Sequence, residues 1–142
     1  MKILFLCTGN SCRSQMAEGY ARELFGEKAQ IYSAGVISSF VHPMAIRAMN
    51  EENIDMSGHV SKTIEEIKPQ IGDSVDYVIT LCSHAEQVCP RFPGEKKHLH
   101  WPIEDPVQYF GPKGDRKFRE VRDQVKQKIQ DFYEELYGKA SK

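Results

Sequence analysis

The chain has 142 residues, enough for one domain with a sizeable core, and residues 1–142 are expected to form it. Its formal charge is −1, with 27% charged and 40% hydrophobic residues. That balance gives no reason to expect nucleic acid or an anionic membrane as partner. No apolar run is long enough to span a bilayer, and the one at residues 3–6 is too short for a signal peptide, so a cytoplasmic protein is expected; it is taken as a monomer, which the sequence does not itself decide.

The first predicted element is a strand over residues 3–6, Ile-Leu-Phe-Leu, apolar throughout as in a parallel sheet covered on both faces. A helical pattern follows over residues 15–25, with Met16, Tyr20, Ala21, Leu24 and Phe25 on one face. Residues 30–35 form a weaker strand. Pro43 opens a second helix carrying Met44, Ala45, Ala48 and Met49. A short helix over residues 63–68 is expected to stop at Pro69. Residues 78–81 read as a third strand and 97–101 as a fourth, with Trp101 packing at its end. Phe118, Val121, Val125, Ile129, Phe132 and Leu136 mark one face of a long C-terminal helix. Strands alternating with helices predict an α/β fold, a doubly wound four-stranded parallel sheet flanked by helices.

Between the first strand and the first helix lies Cys7-Thr8-Gly9-Asn10-Ser11-Cys12-Arg13-Ser14. The backbone N–H groups of residues 8–13 can turn inward around a tetrahedral anion, beside a helix N-terminus that favours negative charge. Arg13 offers a planar fork for two oxygens of that anion. The same field favours a thiolate at Cys7, and Ser14 can donate to it. Gly9 and Asn10 suit unusual backbone angles. Thr8, Gly9, Asn10, Ser11, Cys12 and Arg13 are the candidate oxyanion-binding residues. In such sheets, ligands bind beyond the carboxyl ends of the strands. Cys7, Cys82 and the loop of Asp105 all follow strands, so all three can meet at that edge.

This stretch resembles the phosphate loop of the low-molecular-weight protein tyrosine phosphatases, and more closely that of the thioredoxin-coupled arsenate reductases of the same fold. Leu81-Cys82-Ser83-His84-Ala85-Glu86-Gln87-Val88-Cys89-Pro90 decides between them, because the reductases carry such a cysteine pair and the phosphatases do not. Asp105-Pro106 matches the general-acid loop of both. In the phosphatases, aromatics that grip a phosphotyrosine ring typically follow this Asp-Pro. Here Val107-Gln108 follow and Tyr109 comes later.

The resemblance implies that Cys7 attacks arsenate, Arg13 and the loop amides hold the oxyanion, and Asp105 protonates the departing oxygen, burial and the anion favouring its protonated form. Cys82 then attacks Cys7, giving a Cys7–Cys82 disulfide and arsenite. Cys89 attacks Cys82, leaving a Cys82–Cys89 disulfide for thioredoxin. Arsenate and thioredoxin are thus the implied partners, with no tightly bound cofactor and a weak phosphatase side activity. A low-molecular-weight phosphatase or small-phosphoester hydrolase is the alternative. If residues 82–89 were one helix, their α-carbons would stand about 10 Å apart. A disulfide needs less than about 7 Å. The segment must therefore loop out when oxidised, between a cap at Ser83 and a stop at Pro90.

Read without the resemblance, Cys82 and Cys89 are also acceptable as small core hydrophobes. The cysteine spacings of five and seven, with His84 nearby, fit no structural zinc motif, and no metal is expected. Cys12 is either loop packing or the partner of Cys7 in an oxidised state. His98 and His100 read as satisfied strand histidines. Some reductases of the family bind potassium through an asparagine, a glutamate, a serine and an aspartate. Asn10, Glu18 and Ser33 match three of these, and Lys62 stands at the fourth, either as a tethered replacement for the cation or as an exposed lysine.

Overall fold

The computed structural model describes residues 1–83, 92 and 94–138. Its strands are β1 (Lys2–Cys7), β2 (Gln30–Gly35), β3 (Val75–Thr80) and β4 (Glu95–His100). They form one parallel sheet in the order β2-β1-β3-β4. The helices are α1 (Arg13–Phe25), α2 (Pro43–Asn50), α3 (Ile64–Ile71) and α4 (Gly111–Tyr137). The expected α/β fold is present, with the third and fourth strands starting earlier in the chain than their apolar runs suggest.

β1 is central, and its alternating side chains feed two cores. Ile3, Phe5 and Cys7 join α1, α2 and α4 on one face, while Leu4 and Leu6 meet Ile67 and Ile71 of α3 on the other. On α4, Phe118, Val121, Val125, Ile129 and Phe132 are buried as the periodicity predicts, each contributing about 2 kcal/mol of apolar burial. Trp101 is buried against Phe5 and Phe132, with ring centroids 6.2 and 5.8 Å apart.

α3 departs from expectation. It runs through Pro69 to Ile71 and ends at Gly72, whose φ of 82° turns the chain away. A proline here leaves only the carbonyl of Glu65 without its helical partner, and Glu65 is exposed to solvent. The buried pair Ile67 and Ile71, one turn apart, holds the last turn down. Thr63 and Glu66 close the other end as a capping box.

The order of the strands places a topological switch beside β1. The chain leaves β1 for β2 on one side and later returns to β3 on the other. The carboxyl end of β1, where Cys7 sits, is therefore where such a sheet opens a crevice.

Candidate active site

Cys7 closes β1 and Arg13 opens α1, two residues earlier than the helical pattern indicates. The five residues between them form a ring whose carbonyls face outward. Thr8 O accepts from Val36 N and Ile37 N at 3.0 and 3.3 Å, Ser11 O from His42 N at 2.9 Å, and Cys12 O from Met16 N at 2.9 Å. Gly9 O accepts from Ser61 Oγ at 3.2 Å. In a trans peptide the next N–H points opposite to the carbonyl, so these contacts aim the following N–H groups into the ring. α1 has no side-chain cap and no acid in its first turn, a setting in which a helix N-terminus suits an anion.

The left-handed position is Asn10, at φ 47°, and not Gly9. Asn10 is wholly buried, and its side chain organises the ring from behind. Nδ2 donates to Ser14 Oγ at 2.8 Å and to Ser33 Oγ at 3.1 Å. Ser14 Oγ lies 2.8 Å from Cys7 Sγ, within hydrogen-bonding distance. Ser33 donates to Glu18 Oε1 at 2.5 Å, and the Lys62 ammonium lies 3.6 Å from the same oxygen. Burial works against the Glu18 carboxylate, but Lys62, the Ser33 hydrogen bond, His59 and Arg22 together hold its pKa below the ordinary glutamate value. Asn10, Glu18, Ser33 and Lys62 thus meet as one cluster, with the Lys62 side chain partly buried at 21% exposure.

Arg13 is buried, with Nη1 donating to Leu81 O and Ile103 O at 3.2 and 3.0 Å. Its Nη2 lies 3.5 Å from Asp105 Oδ2, and the Asp105 side chain is 37% exposed. Asp105 is therefore more open than the buried acid anticipated from sequence, because it caps a short 3₁₀ turn, Pro106–Gln108, at the rim, with Oδ1 accepting from Val107 N. Cys82 is buried, its sulfur 3.9 Å from Thr8 Oγ1, so β1, β3 and the Asp105 loop do converge. Burial, then the neighbouring Cys7 and Asp105, push the Cys12 thiol well above its usual range against Arg13. Cys12 is buried in the same core cluster as Cys7. Cys89 and His84 lie outside the described residues.

Tyr109 is engaged by charged side chains. Its hydroxyl donates to Glu104 at 2.9 Å, and Lys113 and Lys117 stand 5.3 and 5.0 Å from its ring centroid. His98 and His100 both contact Thr80 Oγ1, at 3.2 and 2.6 Å, as satisfied histidines. Among the described residues, no three His, Cys, Asp or Glu side chains are grouped to hold a metal. No helix of the described chain is long and apolar enough to cross a membrane.

Four residues of the site were not singled out from sequence. Gly35 touches the ring so closely that a β-carbon would stand 2.8 Å from Thr8 O and 2.9 Å from both Cys7 O and Asn10 N. His42 ties α2 to Ser11. Gln15 and His59 lie behind Asn10, with His59 Nδ1 3.0 Å from Gln15 Oε1. A glycine ending a strand was the one legible signal. The other three act through packing partners distant in the chain.

Residues 2–142 match the family described as low molecular weight phosphotyrosine protein phosphatase. Arsenate reductase 2 of Staphylococcus saprophyticus is 47% identical over 132 residues, 93% of this chain and 95% of that protein. A solved arsenate reductase in the phosphate-binding state superposes with a TM-score of 0.78 at 38% identity, covering 95% and 98% of the two chains. A thioredoxin-dependent arsenate reductase from Corynebacterium glutamicum shares the fold, with a TM-score of 0.70 at 24% identity over 95% of this chain and 61% of that one. With its ring, its buried arginine and its sheet order, the chain belongs to the low molecular weight phosphotyrosine protein phosphatase family, among the members built like the arsenate reductases.

Proposed function

We propose that this protein reduces arsenate to arsenite in the cytoplasm, as a single-domain monomer that draws electrons from thioredoxin. The observation that carries the reading is the meeting of two thiols at one anion ring: Cys7 beside Ser14 at 2.8 Å, and Cys82 beside Thr8 at 3.9 Å. A hydrolase of this design needs only the first. The names of the relatives support the substrate, and the thioredoxin-dependent neighbour supports the reductant.

The sequence of bonds is as follows. The Cys7 thiolate attacks arsenic, and one arsenate hydroxyl takes a proton from Asp105 and leaves as water. Arg13 and the N–H groups of the ring neutralise the remaining oxygens. The Cys82 thiolate attacks Cys7 Sγ; the S–S bond forms, the S–As bond breaks, and its electron pair stays on arsenic as arsenite. Cys89 then attacks Cys82, releasing the Cys7 thiolate and leaving Cys82–Cys89. The dithiol of thioredoxin takes over that disulfide. Two thiols are oxidised for each arsenic reduced. No metal is required, and the Lys62 ammonium serves the Asn10–Glu18–Ser33 cluster as a tethered cation.

A weak phosphatase activity accompanies this chemistry, because Cys7, Arg13 and Asp105 also suffice for a thiophosphate intermediate. The tying of Tyr109 to Glu104 argues against aryl phosphates as the main substrate. The deciding assay couples the protein to thioredoxin, thioredoxin reductase and NADPH. Arsenate-dependent NADPH oxidation over many turnovers is expected. Its absence, with brisk phosphoester hydrolysis, would establish the phosphatase instead.

A further inference from the structure

We propose that Gln15 is a positioning residue for the nucleophile, fixing the direction of the hydrogen bonds that end at Cys7. The proposal rests on the reading of Cys7 as the attacking thiol and extends it to a residue that touches neither substrate nor sulfur.

Gln15 is the third residue of α1 and is wholly buried. Its Nε2 faces three oxygens: Asn10 Oδ1 at 2.9 Å, Val60 O at 3.0 Å and Asn10 O at 3.3 Å. Two of these are peptide carbonyls, which only accept, so the amide presents its NH₂ there. Its Oε1 then faces His59 Nδ1 at 3.0 Å, which requires a hydrogen on that nitrogen. Asn10 Oδ1 accepts from Gln15 and from Lys62 N, the latter at 2.8 Å. The Asn10 amino group is thereby committed to the opposite side, toward Ser14 and Ser33. Ser14 accepts from Asn10, and toward Cys7 as the proposed thiolate, which only accepts, its hydroxyl is the donor.

The direction of every bond from His59 to Cys7 follows: His59 donates to Gln15, Gln15 to Asn10, Asn10 to Ser14, and Ser14 to sulfur. A donor aimed at sulfur favours the thiolate; a hydroxyl turned the other way does not. Gln15 also holds the Asn10 carbonyl, at a residue whose left-handed backbone costs about 1 kcal/mol outside glycine. It thus restrains the sharpest bend of the ring together with the polarity of the relay.

The test is the rate of iodoacetamide alkylation against pH in the full-length reduced protein, with the labelled peptide mapped. In the unmodified protein the label belongs on Cys7. A label elsewhere defeats the nucleophile assignment and this proposal with it, which separates that failure from the one tested next. Gln15→Met keeps the volume and removes the amide. It is expected to move the Cys7 profile to higher pH, with alkylation near pH 7 slowed about tenfold, an effect of about one pH unit. A merely structural glutamine would lower the melting temperature and leave the profile of the folded protein where it was, and that result overturns the proposal. Should Gln15→Met not fold, His59→Phe decides. It leaves Gln15 in place but withdraws the donor from Oε1, and a slowing of about threefold in the same direction is expected. An unchanged profile in that variant overturns the relay.

Discussion

Cys7 Sγ and Ser14 Oγ stand 2.8 Å apart, and Ser14 already accepts a hydrogen bond from Asn10. With Cys7 as the proposed thiolate nucleophile, which only accepts, the hydroxyl meets the sulfur as a donor. Ser14→Ala should slow arsenate reduction by about tenfold to a hundredfold, the worth of one hydrogen bond to a charged group. Cys7→Ser should abolish both reduction and phosphoester hydrolysis while the fold survives, because this ring does not ionise a serine. Steady-state rates with circular dichroism on both variants check this, and more than a trace of either activity in Cys7→Ser defeats the assignment.

The two chemistries should come apart at the second thiol. Cys82→Ser or Cys89→Ser is expected to end thioredoxin-coupled turnover and to leave hydrolysis of a small phosphoester within about twofold of the parent, since hydrolysis needs only Cys7, Arg13 and Asp105. Acid-quenched peptide mapping after one turnover of the unmodified protein should find Cys82–Cys89 in preference to Cys7–Cys82. A parallel loss of both activities in the serine variants would make the pair structural.

Lys62 gives a prediction about ions. With an ammonium tethered 3.6 Å from Glu18, exchanging potassium for sodium at fixed ionic strength should change kcat/KM and the melting temperature little. Lys62→Asp should introduce sensitivity to potassium. A strong potassium effect on the unmodified protein contradicts the tethered cation.

Glu18 gives a prediction about acid. Its folded pKa lies below the ordinary value, so the unfolded chain takes up a proton first as pH falls. The stability contributed by Glu18 is complete above the ordinary glutamate value, about 4.3. It is lost as pH drops from there through the lower folded value. Urea melts between pH 6 and 3 should show this acid limb, and Glu18→Gln should flatten it. An equally steep limb in that variant would assign it to other carboxylates.

Much of this was legible in the sequence because it is local. An apolar run of four residues, a cysteine, and an arginine after a five-residue turn mark strand, ring and helix start within residues 3–25. The face of α4 was legible for the same reason: its period is internal to the helix. What escaped was set by distant partners. Pro69 looked like a stop because its compensation comes from Ile67 and Ile71 packing under the sheet. Asp105 looked buried because its turn could not be seen to sit at the rim. Gln15 is an ordinary helix residue until Val60 and His59, some 45 positions on, are folded behind it.

Gly35 carries no reactive atom, yet its missing side chain sets the curvature of the ring. Its N–H is held by Lys62 O at 2.9 Å while its bare α-carbon lies against the backbone of Thr8, Asn10 and Cys7. The second strand thus works as a gauge for the first loop: a single added methyl there would push the peptides apart and misaim every N–H at once. The width of the ring is in that sense written on a neighbouring strand, at a position that no reactive side chain marks.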